Sequence, residues 1–246
     1  MNVNDLDWWH TIEVEPGVVT PGSWDLRPTA ERMPWPPGGV AGLRCLDVGT
    51  MDGFWAFELE RRGAASVMAI DLVDPRRQDS PVGRAGGGPE PPRRGETFAL
   101  AAEMLGSGAA YRDLSVYDLR PEDVGQFDVV VMGYVLQMLR DPLRALEAVR
   151  SVCRGHLLLL DTVSLPLSLL PSPLARLDAR RGHLEWFVFN RRGLSHVAEL
   201  AGFEVEAATR VFRDTAGPAV ASSSLRHTLG LLGRSAAVRG RAREVR

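Results

Sequence analysis

The chain has 246 residues, 45% of them hydrophobic and 24% charged, with a net charge of −2. That length accommodates one larger domain or two small ones around a substantial core, and the near-balanced charge supplies no global field for nucleic acid or anionic membranes. All 29 basic side chains are arginine, so Schiff-base chemistry and a lysine-bearing phosphate loop are excluded. Cys45 and Cys153 sit in apolar neighbourhoods and read as small core residues; with five scattered histidines they make no metal-binding spacing. The first residues show no basic stretch leading into an apolar one, and the apolar run at 157–160 is far too short to span a bilayer. The expectation is a cytoplasmic protein without membrane contact.

Residues 1–40 are rich in Trp, Pro and Gly, with a short alternating piece at 11–14, and read as an N-terminal extension or lid ordered by its aromatics. The pattern then changes, and 41–246 read as the main domain. Arg-Cys-Leu-Asp-Val at 44–48 is a short buried strand, ended by Gly49 and Gly53. Phe54, Phe57, Leu59 and Arg62 follow at helical spacing up to Gly63, a natural helix end. Ser-Val-Met-Ala-Ile-Asp at 66–71 is a second strand, which completes a βαβ unit with parallel pairing. Residues 75–96 hold five prolines, five arginines and three consecutive glycines. Such a segment buries too little apolar surface to offset its ordering entropy and reads as a mobile loop.

The alternation resumes with a helix at 97–105 closed by Gly106, a strand at 110–112 and a strand at 127–132. Asp141 and Pro142 open a helix to Val152. A fifth strand spans 156–161, a Pro-broken stretch covers 165–181, and Asn190 caps a helix at 191–201 that Gly202 stops. Phe203 to Phe212 reads as a sixth strand, then a short helix at 225–232 and a last strand at 236–241. The order predicts a doubly wound, mostly parallel, seven-stranded α/β sheet with helices on both faces.

Ligands in such sheets bind outside the carboxyl ends of the strands. There the sequence places Asp47, Gly49, Thr50, Gly53, Asp71, Asp118 and Gly133. Gly49 permits close backbone approach, Gly53 a tight helix start, and Asp71 the capture of two ribose hydroxyls. A dinucleotide site wants Gly-x-Gly-x-x-Gly, with helix amides on a pyrophosphate. Here Met51 takes the second glycine position and Asp52 sets an anion where that phosphate would lie. A sulfonium cofactor without phosphate suits these residues better.

Leu46 to Gly53 (Leu-Asp-Val-Gly-Thr-Met-Asp-Gly), with Asp71, resembles the first two motifs of class I S-adenosylmethionine-dependent methyltransferases, over roughly residues 43–212. The resemblance implies a Rossmann-like fold and S-adenosylmethionine as cofactor, with S-adenosylhomocysteine as product. It implies ribose binding by Asp71 beside Leu72, and adenine contacts at Tyr117 and Asp118, with Asp118 on the exocyclic amine. Gly133 would end the fourth strand beneath the methyl donor. Trp9-His10-Thr11-Ile12, Gly17 to Gly22, Trp24, Val135 to Pro142 and Trp186 to Asn190 are further similar to relatives of the bacterial tRNA wobble-uridine carboxymethyltransferase. In that family the counterpart of Trp24 helps to cover the cofactor. The departures are Gln137-Met138 in place of Tyr-His, His183 near the place of an Arg, and no lysines. They favour ordinary methyl transfer over a carboxylated cofactor.

Methyl transfer is an in-line displacement, and a general base helps only a protonated nucleophile. His10 and Tyr134 are the candidate catalytic residues, with Asp161, His183 and Glu185 as further titratable groups near the site. Gln137, His183 and Trp186 are candidate acceptor contacts. The near-neutral charge points to a small-molecule acceptor, such as a sugar, a hydroxylated metabolite or a natural-product intermediate. It points away from nucleic acid, in spite of the Arg-rich tail. An RNA methyltransferase is the alternative. A protein that keeps the cofactor only as a structural ligand is the third reading, motivated by Met51 and Met138. The helical faces leave room for a homodimer.

Overall fold

A computed structural model of the chain describes residues 2–81, 95–178, 184–221 and 234–243. Its central strands are β1 (Arg44–Val48), β2 (Ser66–Asp71), β3 (Ala110–Asp113), β4 (Phe127–Gly133), β5 (Cys153–Thr162), β6 (Phe203–Ala208) and β7 (Arg234–Ala242). They lie in the order β3-β2-β1-β4-β5-β7-β6. All pairs are parallel except those of β7, which runs antiparallel to both β5 and β6. The four longer helices are α1 (Phe54–Arg61), α2 (Glu96–Leu105), α3 (Pro142–Val152) and α4 (Arg191–Leu200).

The apolar runs of β1, β4 and β5 are buried on both faces, as strands covered by helices on each side must be. On one face Leu146 and Val149 of α3 and Leu194 and Val197 of α4 pack over Val130, Met132, Leu157 and Leu159. On the other, Trp55 and Leu59 of α1 and Phe98 of α2 cover Val129, Val131, Leu158 and Leu160. Val3, Trp8, Ile12, Leu26 and Met33 join that second core, so much of the segment ahead of β1 is packed against the sheet. The helix starts follow the sequence chemistry. The Asp141 carboxylate accepts the Arg144 N–H at 3.1 Å ahead of Pro142, and the Asn190 side chain accepts the Gly193 N–H at 2.7 Å.

Several elements differ from the sequence expectation. β5 starts at Cys153, directly after α3, because the helix cap residue is already extended. The sixth strand stops at Ala208 after a register shift between Val205 and Ala207; Phe212–Arg213 then pairs separately with β7, so the sheet has eight strands. The Pro-broken stretch yields a short helix, Leu165–Ser168, and a strand, Ala175–Leu177, paired antiparallel with Phe187–Phe189. Of the 75–96 segment, Pro75–Arg77 is a 3-10 turn and Glu96 opens α2, whereas 82–94 lie outside the described residues. The helix expected at 225–232 also lies outside them.

Candidate functional site

The strand order reverses between β1 and β4, and the loops that leave their carboxyl ends diverge to opposite faces. Gly49, at φ 76°, turns the chain there; its N–H and that of Thr50 both donate to the Ile70 carbonyl, at 2.8 and 3.1 Å. A side chain at Gly49 would collide with Val135 of the β4 loop, so glycine keeps the two loops close. Gly53, at φ 96°, is the N-cap of α1, and an added Cβ would run into Phe57. Met51 holds φ 49° between them, a conformation costly for a side chain. The second-glycine position thus keeps a glycine-like backbone although its residue is methionine.

Asp71 ends β2 facing this turn. One carboxylate oxygen accepts the Met51 N–H at 2.8 Å and the other the Leu72 N–H at 2.7 Å. From there a cleft open to solvent runs between Gly49, Met51, Leu72, Ser115, Tyr117 and Met138. Tyr117 lines it. Asp118 does not: in the tight turn Val116–Asp118, Val116 enters the core, Tyr117 faces the cleft and Asp118 is exposed. The expected adenine contact at Asp118 thus lies off the cleft wall, which here is formed by Leu114, Ser115 and Tyr117.

Asp47 is fully buried on the α1 face of β1. One oxygen accepts the Ala56 N–H at 3.1 Å while Oδ1 has no partner. Burial pushes its carboxyl up to about 7, against the relief that the nearby Thr50 side chain and then the Ala56 N–H provide. Asp52 turns away from the cleft. Its Oδ2 accepts the N–H groups of Trp9 and His10 at 2.6 and 2.7 Å, and its Oδ1 accepts the Thr97 hydroxyl at 2.7 Å. The anion that seemed to argue only against a pyrophosphate is thus the anchor of the N-terminal segment. His10 is buried with Nδ1 unpartnered and 3.7 Å from Asp52. Burial holds its imidazole below the usual histidine range, although Asp52 and Asp71 pull upward. Trp24 bridges to His10, and its N–H donates to the Trp9 carbonyl at 2.9 Å.

The β4 side is wired differently. Tyr134, at φ 58°, donates its hydroxyl to Asp214 at 2.6 Å, and Asp214 also accepts from the Ser235 hydroxyl at 2.7 Å. Burial, then Asp214, holds the phenol well above its ordinary value, so Tyr134 is a hydrogen-bond donor and does not serve as a base near neutral pH. Asp161 accepts the N–H groups of Gln137 and Thr162 at 2.9 and 2.7 Å, and burial pushes it up to about 7. Gln137 is buried with Oε1 unpartnered, and its carbonyl accepts the Trp186 N–H at 2.7 Å. The Trp186 indole N–H donates to the Asp79 carbonyl at 2.5 Å. His183 lies outside the described residues.

Asp79 is the residue sequence reading missed most completely. Its carboxylate accepts the Tyr117 hydroxyl at 2.8 Å and the Arg140 N–H at 2.9 Å, which straps residues 77–80 along the cleft. It lay inside a Pro- and Arg-rich stretch with no local pattern. Asp214 had no signal either.

A methyltransferase domain model matches residues 26–208. The chain belongs to the methyltransferase domain family. The ubiquinone biosynthesis O-methyltransferase of Acinetobacter baumannii is 30% identical over 121 residues, 48% of this chain and 44% of that protein. The match therefore spans less than half the relative's length. Among solved structures, the chain resembles the 1,6-didemethyltoxoflavin N1-methyltransferase of Burkholderia thailandensis with 1,6-didemethyltoxoflavin and S-adenosylhomocysteine bound. The TM-score is 0.53 at 15% identity, covering 83% of this chain and 72% of that one. It also resembles the N-terminal domain of EvdMO1 in the presence of S-adenosylhomocysteine and D-fucose, with a TM-score of 0.56 at 19% identity, covering 98% and 94%.

The toxoflavin methyltransferase holds S-adenosylhomocysteine, the product form of S-adenosylmethionine. The residues present fit it. An acid stands at the end of β2, no cationic phosphate cradle is needed, and buried atoms without partners (Asp47 Oδ1, Thr50 Oγ1, His10 Nδ1) surround the turn after β1. Among the described residues, no helix is long and apolar enough to cross a membrane.

Proposed function

We propose that the chain transfers a methyl group from S-adenosylmethionine to a small-molecule acceptor bearing an O–H or N–H group, such as a sugar, a hydroxylated metabolite or a natural-product intermediate. The observation that carries this is Gln137 Oε1. The surrounding polar groups at the β4–β5 end are engaged: Tyr134 with Asp214, Asp161 with two backbone N–H groups, Trp186 with Asp79. One buried acceptor atom is left over, and leaving it unpaired costs about 1–3 kcal/mol. A single donor on a small molecule answers it.

In this reading Asp71 and Leu72 hold the ribose, Gly49, Thr50 and Gly53 bring the backbone close, and Tyr117 covers the adenine. Trp24 and the buried segment around His10 shield the reacting end from water, and Gly133 leaves room beside the methyl group. The bound cofactor supplies a sulfonium methyl that an incoming nucleophile displaces in line. The chain supplies orientation and a dry site. His10, kept neutral by burial and with Nδ1 unpartnered, is the group able to take the acceptor's proton.

The likeness to the wobble-uridine carboxymethyltransferase relatives rests on Trp9 to Ile12, Gly17 to Gly22, Trp24, Val135 to Pro142 and Trp186 to Asn190. Gln137-Met138 and the absence of lysine weigh against a carboxylated cofactor and against tRNA. The test is incubation with methyl-labelled S-adenosylmethionine against hydroxylated and N–H-bearing small molecules, with bulk tRNA as a parallel arm. Label in the small-molecule fraction is expected; label confined to tRNA would overturn the reading. Calorimetry with the D71A variant should show S-adenosylhomocysteine binding weakened by about 1–3 kcal/mol.

A further inference from the structure

We infer that the Trp55 indole N–H is a binding donor for the carboxylate at the amino-acid end of the cofactor. The inference rests on the cleft placement given above and adds a residue from outside the sequence motifs.

Trp55 occupies the first turn of α1 and is 3% exposed. Its Nε1 is buried and has no hydrogen-bond partner. Indole is a donor only, so nothing else on the ring compensates, and an orphaned buried N–H is rare in a folded chain. Trp35 and Phe54 fix the ring, at centroid distances of 6.4 and 5.1 Å. The orphan atom is aimed at a particular place: a Cβ added at Gly133 would lie 2.6 Å from it. Gly133 ends β4, and the register pairing Val48 with Met132 sets it beside Gly49 at the end of β1. The indole nitrogen therefore lies beside the crevice between the two strands whose order reverses, on the side away from Asp71 and β2.

The ligand's chemistry matches. With the ribose on Asp71, its other end must cross β1 toward β4, and that end carries an ammonium and a carboxylate. Asp47 and Gly133 occupy the same face of adjacent strands, since Asp47 pairs with Val131, two residues before Gly133. Asp47 Oδ1 is an orphan acceptor there and Trp55 Nε1 an orphan donor, a complementary pair for a zwitterion. Three acids (Asp47, Asp52, Asp71) stand near the β1 turn. A neutral donor set apart from them can receive a carboxylate without drawing a cation into that field.

The test compares S-adenosylhomocysteine with 5′-methylthioadenosine, which keeps the adenosine and sulfur but lacks the amino-acid end. Binding is followed by calorimetry on the full chain. Trp55→Phe keeps the ring and removes the N–H. It should weaken S-adenosylhomocysteine about tenfold, as a hydrogen bond to a charged group does, and change methylthioadenosine less than about twofold. Gly133→Ala, whose Cβ would stand 2.6 Å from Nε1 and displace the ring, should give the same selective loss. Equal losses for both ligands, or none, in both variants would overturn the inference. The D71A variant separates this from the cleft placement, since it should weaken both ligands; both unchanged in D71A would sink the placement instead.

Discussion

At the β1–β2 end of the cleft the polar groups come from short, contiguous stretches. Asp47 lies near the end of β1, Thr50, Met51 and Asp52 lie in the turn after it, and Asp71 closes the next strand onto Met51. At the β4–β5 end the contacts reach far along the chain, with Tyr134 bound to Asp214 eighty residues away and Trp186 to Asp79 across 107. The first end leaves buried atoms without partners, and the second leaves chiefly Gln137 Oε1. A site that awaits a ligand of fixed chemistry can be encoded locally and left polar and open. A wall shaped for one acceptor has to be assembled from whatever segments the fold brings over it.

The largest break in that contrast should come from Asp52, the local residue that nonetheless holds a distant segment. Asp52→Ala removes the acceptor for two backbone N–H groups, one of them on buried His10, and for the Thr97 hydroxyl. A loss of about 3 kcal/mol is expected in urea unfolding, with early proteolysis ahead of Ile12. Asp52→Asn, which keeps one acceptor oxygen, should recover part of it. A stability unchanged in D52A would mean that the N-terminal segment is not held through this carboxylate.

The same contrast explains what could be read from the sequence. The β1–α1–β2 unit, and with it the places of Asp47, Gly49, Gly53 and Asp71 in the fold, was legible because strand periodicity and glycine turns are local signals. The strands of the sheet were legible for the same reason. Asp118 was misassigned because a one-residue rotation in a 3-10 turn decides which side chain meets the cleft, and sequence spacing does not resolve that. Asp79 and Asp214 were invisible, since each acts through partners set by tertiary packing. Asp52 was seen but misread. Its charge suggested repulsion of a ligand, whereas packing gave it backbone N–H groups to hold.

At the locally encoded end, pH gives the next handle. Asp47, raised to about 7 by burial, binds its proton more tightly in the folded chain than when unfolded. Its contribution to stability is complete below the unfolded carboxyl range and is lost as pH rises toward 7. Asp47→Asn keeps the acceptor for Ala56 and cannot ionise. Relative to wild type it should gain about 2 kcal/mol between pH 5.5 and 7, at 1.36 kcal/mol per pH unit, and then level off. Paired melting curves at these values and at pH 8.5 give the difference directly. A gap that stays constant across this range would show that Asp47 is ionised throughout.

At the long-range end, Asp79→Ala removes the acceptors of Tyr117 and Arg140 from the strap along the cleft. Dissociation of S-adenosylhomocysteine, followed by stopped-flow tryptophan fluorescence, should quicken about tenfold, the equivalent of one charge-assisted bond. Tyr117→Phe removes only one of the two donors and should fall between D79A and wild type. Identical dissociation rates in all three proteins would separate the strap from ligand exchange.

The smallest effect should come from Met51, and its sign is what matters. Its φ of 49° suits glycine, yet its N–H donates to Asp71 and its side chain lines the cleft. Met51→Gly relieves the backbone but enlarges the entropy of the unfolded chain, two terms that partly cancel. A net gain of about 0.5–1 kcal/mol is expected in urea unfolding, since the strain of a left-handed non-glycine residue is the larger of the two. Cofactor affinity should stay within about twofold, because glycine retains the N–H bonded to Asp71. A destabilised M51G would mean that the methionine side chain contributes more by packing against the turn than its backbone loses. The substitution of the family glycine would then be a locally encoded adaptation of this cleft instead of a tolerated strain.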